Sequence, residues 1–191
     1  FGKAAHAGRD FEKGRSAITA MAHFIDEAEK LNDFKKGITI NFGSIEGGGP
    51  VNIVPELCIT HINIRYLKES DLNKIKSSIF KLIKEIEKKG VKIELHELSA
   101  RGPKPLDKKT IKLFDILQEV GLQLDQKIKL RESGGVSDGN ILASMGLPTI
   151  DTLGVIGGNI HTSEEYMLLD SLKERVKLTV ALLIKLMDEK K

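Results

Sequence analysis

Glu56-Leu57-Cys58-Ile59-Thr60-His61-Ile62-Asn63-Ile64-Arg65-Tyr66 alternates with a period of two. Cys58, Thr60, Ile62 and Ile64 share one side and Ile59, His61, Asn63 and Arg65 the other, the pattern of a strand with one face on a core. Downstream the period changes. Over residues 71–89, Leu72, Ile75, Ile79, Leu82, Ile83 and Ile86 fall on one helical stripe, and Gly90 supplies a stop. Upstream, residues 15–31 read as a helix with Ile18, Met21, Ala22, Ile25 and Ala28 on one face. Residues 38–45 read as a strand ending in the turn Gly47-Gly48-Gly49-Pro50. Val91, Ile93 and Leu95 alternate with Lys92, Glu94 and His96 as a closing strand. Residues 1–101 therefore predict two helices over one face of a mixed four-stranded sheet, a ferredoxin-like α+β sandwich.

Pro103 and Pro105 punctuate a boundary, and residues 102–191 follow a different order. A helix (107–120), a strand (128–132), a glycine turn, a helix (138–145), a strand (149–153), a loop and a long helix (171–189) suggest part of an α/β layer. Two or three strands cannot close such a sheet, so this unit reads as half a domain. Phe1-Gly2-Lys3-Ala4-Ala5-His6 starts as a strand without a leader, and the expectation is that an amino-terminal portion lies outside this chain.

With 40% hydrophobic and 30% charged residues among 191, the composition is that of a folded globular protein rather than a disordered one. No apolar run is long enough for a bilayer. The net charge of +3 is spread as alternating Lys and Glu on helix surfaces, not as a basic stripe, which argues against nucleic acid as a partner. The single cysteine, Cys58, excludes an internal disulfide framework and fits a cytoplasmic protein.

Three loops could carry chemistry. In Ala5-His6-Ala7-Gly8-Arg9-Asp10, small neighbours leave an imidazole accessible, either as a surface group or as a functional one. In Glu132-Ser133-Gly134-Gly135-Val136-Ser137-Asp138-Gly139-Asn140, backbone N–H groups converge on one point, where they can cradle an anion. Ser137 or Asp138 could equally just cap the following helix. In residues 154–166, His161 lies in a polar loop after a strand, where α/β proteins place ligands, although one His is short of the three or four ligands that zinc takes.

Together and in order, Gly2-Lys3-Ala4-Ala5-His6-Ala7-Gly8, Asn52-Ile53-Val54-Pro55, Ile64-Arg65-Tyr66, Gly134-Gly135-Val136-Ser137-Asp138-Gly139-Asn140 and His161-Thr162-Ser163-Glu164-Glu165-Tyr166 resemble one family. It is the dizinc metallopeptidase family of aminoacylases, acetylornithine deacetylase, succinyl-diaminopimelate desuccinylase and glutamate carboxypeptidase. Pro148-Thr149-Ile150-Asp151-Thr152-Leu153-Gly154 and Gly157-Gly158 look most like the glutamate carboxypeptidase branch.

The resemblance implies a lid or dimerisation domain (1–101) followed by the carboxyl-terminal segment of an α/β catalytic domain (102–191). It implies a homodimer formed through the lid and two zinc ions per active site in the intact enzyme, with cobalt or manganese as alternatives. The substrate would be a small acyl-amino acid or peptide. His161 matches the family's last metal ligand. The His-x-Asp motif, the bridging Asp and the Glu-Glu pair of the metal site are not found here, so the chain alone is expected to be inactive. His6 matches the lid histidine that reaches the partner's active site and helps hold the oxyanion. Asn52 and Arg65 match polar groups that grip substrate, with a cross-strand salt bridge as the plainer role for Arg65. Gly135, Val136 and Ser137 match the substrate-binding turn. The substrate carboxylate would meet Arg101, which keeps the residue type, or Lys104, which keeps the position; Arg101 is preferred. His23, His61 and His96 read as structural or surface groups. A rival reading is a non-catalytic ferredoxin-like dimerisation or ligand-binding module.

Overall fold

Ser16 begins the first helix by accepting the Thr19 N–H on its hydroxyl at 3.1 Å. The resulting helix, α1 (Ala17–Glu29), leads through a short turn to the strand β1 (Thr39–Gly47). The strand β2 (Cys58–Arg65) pairs with it antiparallel, Ile40 opposite Ile64 and Phe42 opposite Ile62, with a register shift at Gly43. The helix α2 (Glu69–Glu87) follows, and Gly90 adopts φ +84°, a left-handed conformation that costs a glycine little and ends the helix. The computed structural model describes residues 1–104 and 106–189, so the boundary signal at Pro105 lies outside the described residues. The chain forms two compact units, Phe1–Pro103 and Lys104–Lys191.

The core of the first unit joins Phe24 and Ala28 of α1, Ile38, Ile40 of β1, and Ile75, Ile79, Ile83 and Ile86 of α2. Phe24 meets Phe42 edge-to-face, with ring centroids 6.0 Å apart. The α2 stripe and the inward face of β2 follow the sequence pattern. The buried face of α1 differs: Ala17, Phe24 and Ala28 turn inward, while Ile18 and Ala22 are exposed. Phe24 is the largest side chain available to fill the gap over β1, and it sets the rotation of the helix.

Residues 1–7 run extended between other segments of this unit. Gly2 N–H reaches Glu56 O, Val54 N–H reaches Ala5 O and Ala7 N–H reaches Asn52 O. On another side Lys3 exchanges hydrogen bonds with Arg15, and Lys92 N–H reaches Phe1 O. Among the described residues, the expected closing strand at 91–95 forms no ladder of its own, because only Lys92 finds backbone partners there; Val91 and Ile93 still pack on the core. The ladder proper is two-stranded, β1–β2, within the α+β arrangement.

In the second unit Asp107 caps α3 (Lys108–Gln123) by accepting the Thr110 N–H at 2.8 Å. Phe114, Ile116, Leu117 and Val120 of α3 pack on Leu178 and Leu182 of α5 (Leu169–Asp188). Between them lie α4 (Asp138–Ser144) and a two-residue ladder of β3 (Gly157–Gly158) with β4 (Tyr166–Met167). Residues 128–132 and 149–153, expected as strands, form no ladder among the described residues. They find no neighbouring strand to exchange hydrogen bonds with, and are tethered instead by Ile128, Ile150 and Leu153 packing on the helices. Leu172, Val176, Val180, Leu183 and Ile184 of α5 are each at least half exposed, so α5 is apolar well beyond the face that meets α3.

Candidate active-site loops

Asn52 and His6 come together in the first unit. Ala7 N–H donates to Asn52 O at 2.9 Å, and His6 pairs with Ile53 as an isolated antiparallel bridge. Both side chains are exposed. The chain turns at once after His6, with Arg9 N–H and Asp10 N–H both reaching His6 O. That turn lets Gly8 N–H donate to His6 Nδ1 at 3.1 Å. An Nδ1 that accepts carries no proton, so the neutral ring holds its proton on Nε2, facing outward as a donor.

Arg65 ends β2 opposite Thr39, and its Nε donates to Asn63 Oδ1 at 2.9 Å along the outer face of the strand. His61 on the same face bonds Ser44 Oγ through Nδ1 at 2.9 Å. Arg101 is exposed at the end of the first unit.

The glycine-rich turn of the second unit has a definite arrangement. Ser137 caps α4 in a capping box: its hydroxyl accepts helix N–H groups, and Asn140 Oδ1 accepts the Ser137 N–H at 3.1 Å. The hydroxyl's own proton goes to Asp151 Oδ2 at 2.5 Å. Lys104 Nζ lies 2.7 Å from the other oxygen, Oδ1. Burial pushes the Asp151 carboxyl up, but the hydrogen bonds from Lys104 and Ser137 and the Lys104 charge outweigh it and hold the carboxyl below its ordinary value. Of the two openings the sequence allowed at this turn, the capping role of Ser137 is realised, and the anion beside the helix start is the protein's own Asp151. In the turn itself Gly135 N–H donates to Ser133 Oγ at 3.0 Å, while the Val136 N–H has no hydrogen-bond partner among the described residues. Asp151 had stood in the sequence only as part of a branch signature. Nothing local marks it, since its partners lie 14 and 47 residues away.

His161 adopts φ +68° in the loop between β3 and β4, where its N–H donates to Glu165 Oε2 at 3.2 Å and its side chain is exposed. The loop is closed below by Tyr166, whose ring packs so near Gly158 that a Cβ there would lie 2.8 Å from it. His161 and Ser137 share no hydrogen bond. Among the described residues no three His, Cys, Asp or Glu side chains gather closely enough to hold a metal ion. Zinc takes three or four ligands, so the residues present do not complete a site for it.

Residues 1–91 match the peptidase dimerisation domain. That stretch is the dimerisation domain of metallopeptidase family twenty. Among the relatives of the whole chain, the uncharacterized protein YqjE of Bacillus subtilis is 31% identical over 188 residues, 96% of this chain and 49% of the relative. A succinyl-diaminopimelate desuccinylase of Marinobacter nauticus is 27% identical over 156 residues, 82% of this chain and 40% of that protein. The solved tripeptidase of Staphylococcus aureus superposes with a TM-score of 0.72 at 26% identity, over 97% of this chain and 48% of that one. The chain thus spans about half the length, or less, of the relatives it matches. A desuccinylase and a tripeptidase side by side support the family and not the glutamate carboxypeptidase branch in particular. Among the described residues, no helix is long and apolar enough to cross a membrane.

Proposed function

We propose that this family-twenty chain is the dimerising lid and the carboxyl-terminal catalytic segment of a zinc-dependent hydrolase. The intact enzyme would cleave an amide bond next to a carboxylate, as in an acyl-amino acid or at a peptide's end. The observation that carries this reading is His6: an exposed imidazole whose Nδ1 is held by Gly8, leaving Nε2–H as a donor on a loop fixed by pairing with 52–56. Such a preorganised donor suits the oxygen of an amide carbonyl as negative charge develops on it. The loop is exposed, as a group serving a partner subunit's site must be. Arg65 and Asn52 would grip the substrate from the same unit. Arg101, which keeps the residue type, would meet its carboxylate, with Lys104, which pairs with Asp151, as the alternative.

The chain contributes one metal ligand, His161, and the rest of the site would come from residues outside it. The apolar surface of α5 supports that division, since a helix apolar beyond its packed face calls for further protein against it. Metal analysis and amide hydrolysis by the full-length protein, run against acyl-amino acids and short peptides, test the reading. Metal-dependent hydrolysis of one such class is expected. No hydrolysis by the metal-loaded protein across the panel overturns it.

A further inference from the structure

The outer edge of β1 is closed at one end and open at the other. Among the described residues β1 pairs with β2 and with no second strand, so its outward N–H and C=O groups need other partners. At the Ile38 end they have them. Ile38 exchanges both backbone hydrogen bonds with Asp33, at 2.9 and 3.1 Å. The Ile40 N–H donates to a side chain, Asn32 Oδ1, at 2.6 Å. Asn32 Nδ2 is anchored in turn on Glu29 O, in the last turn of α1, at 2.8 Å. Lys36 Nζ holds the Asp33 carboxylate at 2.5 Å.

Beyond Ile40 the edge is bare. An Ile40 N–H given to Asn32 points away from β2, so the alternation of an antiparallel ladder turns Phe42 outward as well. The register shifts at Gly43. Gly48 N–H reaches Leu57 O, and counting back from it puts Glu46 and Ser44 inward and leaves Gly47 and Ile45 outward. The outward N–H groups of Phe42, Ile45 and Gly47 have no hydrogen-bond partner among the described residues. The side chains at this end are as incomplete as the backbone. Ile45 stands opposite Thr60, on the side where Ile62 and Ile64 meet the core, yet it is 54% exposed. Ile18 of α1, also exposed, reaches the same end, since a Cβ on Gly48 would lie 3.0 Å from its Cδ1.

We propose that Asn32 is an edge guard: it ends strand pairing at Ile40, so that a second copy of this chain docks antiparallel along 42–47 and no further. A second copy fits because an antiparallel edge is self-complementary about a two-fold axis, each strand offering the other its outward groups and its exposed Ile45. The stretch lies within the peptidase dimerisation domain of residues 1–91. The pairing half of this inference rests on the dimer reading. The guard half rests on the Asn32 geometry alone.

Sedimentation and amide hydrogen exchange on the full-length protein read the two halves separately. Ile45→Pro removes an outward N–H that the β1–β2 ladder does not use, a substitution an edge strand tolerates. It should weaken the dimer by at least about tenfold, because the two-fold axis doubles the loss. The Phe42 and Gly47 amides should exchange slowly in the wild-type dimer and about tenfold faster in Ile45→Pro diluted to a monomer. The Ile40 amide should stay slow in both, and quicken by about tenfold only when Asn32→Ala is added to Ile45→Pro. An Ile45→Pro dimer as tight as wild type overturns the pairing half, and so does a wild-type protein that is a monomer. An Ile40 amide indifferent to Asn32→Ala overturns the guard, whatever the oligomeric state. Should Ile45→Pro not fold, Ile45→Lys, which brings two like charges together across the axis, is read in the same way and is expected to show the same signs.

Discussion

Gly8 donates its amide proton to Nδ1 of His6 across 3.1 Å, and the imidazole therefore presents Nε2–H outward from the first unit. His6→Ala in the intact enzyme should lower kcat by roughly 10²–10³-fold, the scale of an oxyanion-hole donor, with metal content and dimer stability little changed. Gly8→Pro removes the N–H that selects the tautomer and should give a smaller loss of the same kind. Mixing His6→Ala subunits with His161→Ala subunits should restore activity, because each mixed dimer contains one site with both an intact metal ligand and an intact partner histidine. If exchange of subunits is confirmed and no activity returns, His6 acts within its own chain or not at all.

The isolated chain should bind zinc weakly, because one imidazole does not chelate a metal and no cluster of three donor side chains is present among the described residues. Dialysis against EDTA followed by metal analysis checks this. Stoichiometric zinc that survives the chelator would count against the assignment of His161 as a lone contributed ligand.

The peptidase dimerisation domain of residues 1–91 should make the chain a dimer in solution, through the edge of the β1–β2 sheet or a helix face. Sedimentation equilibrium gives the mass directly. A monomer at high concentration, with 56–66 open to exchange, would sink the expectation.

Stability should fall in acid in part through Asp151. Its folded value is depressed, so the stabilisation it supplies is fully present above the ordinary carboxylate value and is lost as pH falls through the lower, folded value. Asp151→Asn should therefore be less stable than wild type by about 2 kcal/mol near pH 7, and the gap should close below about pH 4. Urea unfolding at a series of pH values measures it. A gap that does not vary with pH would show that the carboxylate charge is not involved.

Gly139→Ala tests the close approach of α4 to the same carboxylate. A Cβ there would stand 2.8 Å from Asp151 Oδ2 and 3.2 Å from Thr149 Cγ2, so the helix start must shift. A loss of about 1–3 kcal/mol is expected from overpacking. An unchanged melting temperature would mean that the helix start can move freely.

Much of this architecture was legible before any coordinates. The period of Ile75, Ile79, Ile83 and Ile86 decided α2 and its buried stripe, and the alternation of Cys58 to Arg65 decided β2 and the side it turns inward. The helix from 107 was legible as well, and in the structure Asp107 caps its start locally. These features depend on neighbours within a few positions, and the chain's own spacing expresses them. The extended runs at 91–95, 128–132 and 149–153 looked equally strand-like, yet a strand needs a second strand to exchange hydrogen bonds with, and whether one lies alongside is a property of the fold. The rotation of α1 likewise waited on Phe24 finding Phe42 across the core. At the candidate site, the sequence by itself determined which loops carry His6, Ser137 and His161, because small residues and glycine turns mark them. The tertiary structure alone decided that the Ser137 proton belongs to Asp151 and that Lys104 closes the other side, because hydrogen bonds spanning 14 and 47 residues are made by packing and leave no period in the chain.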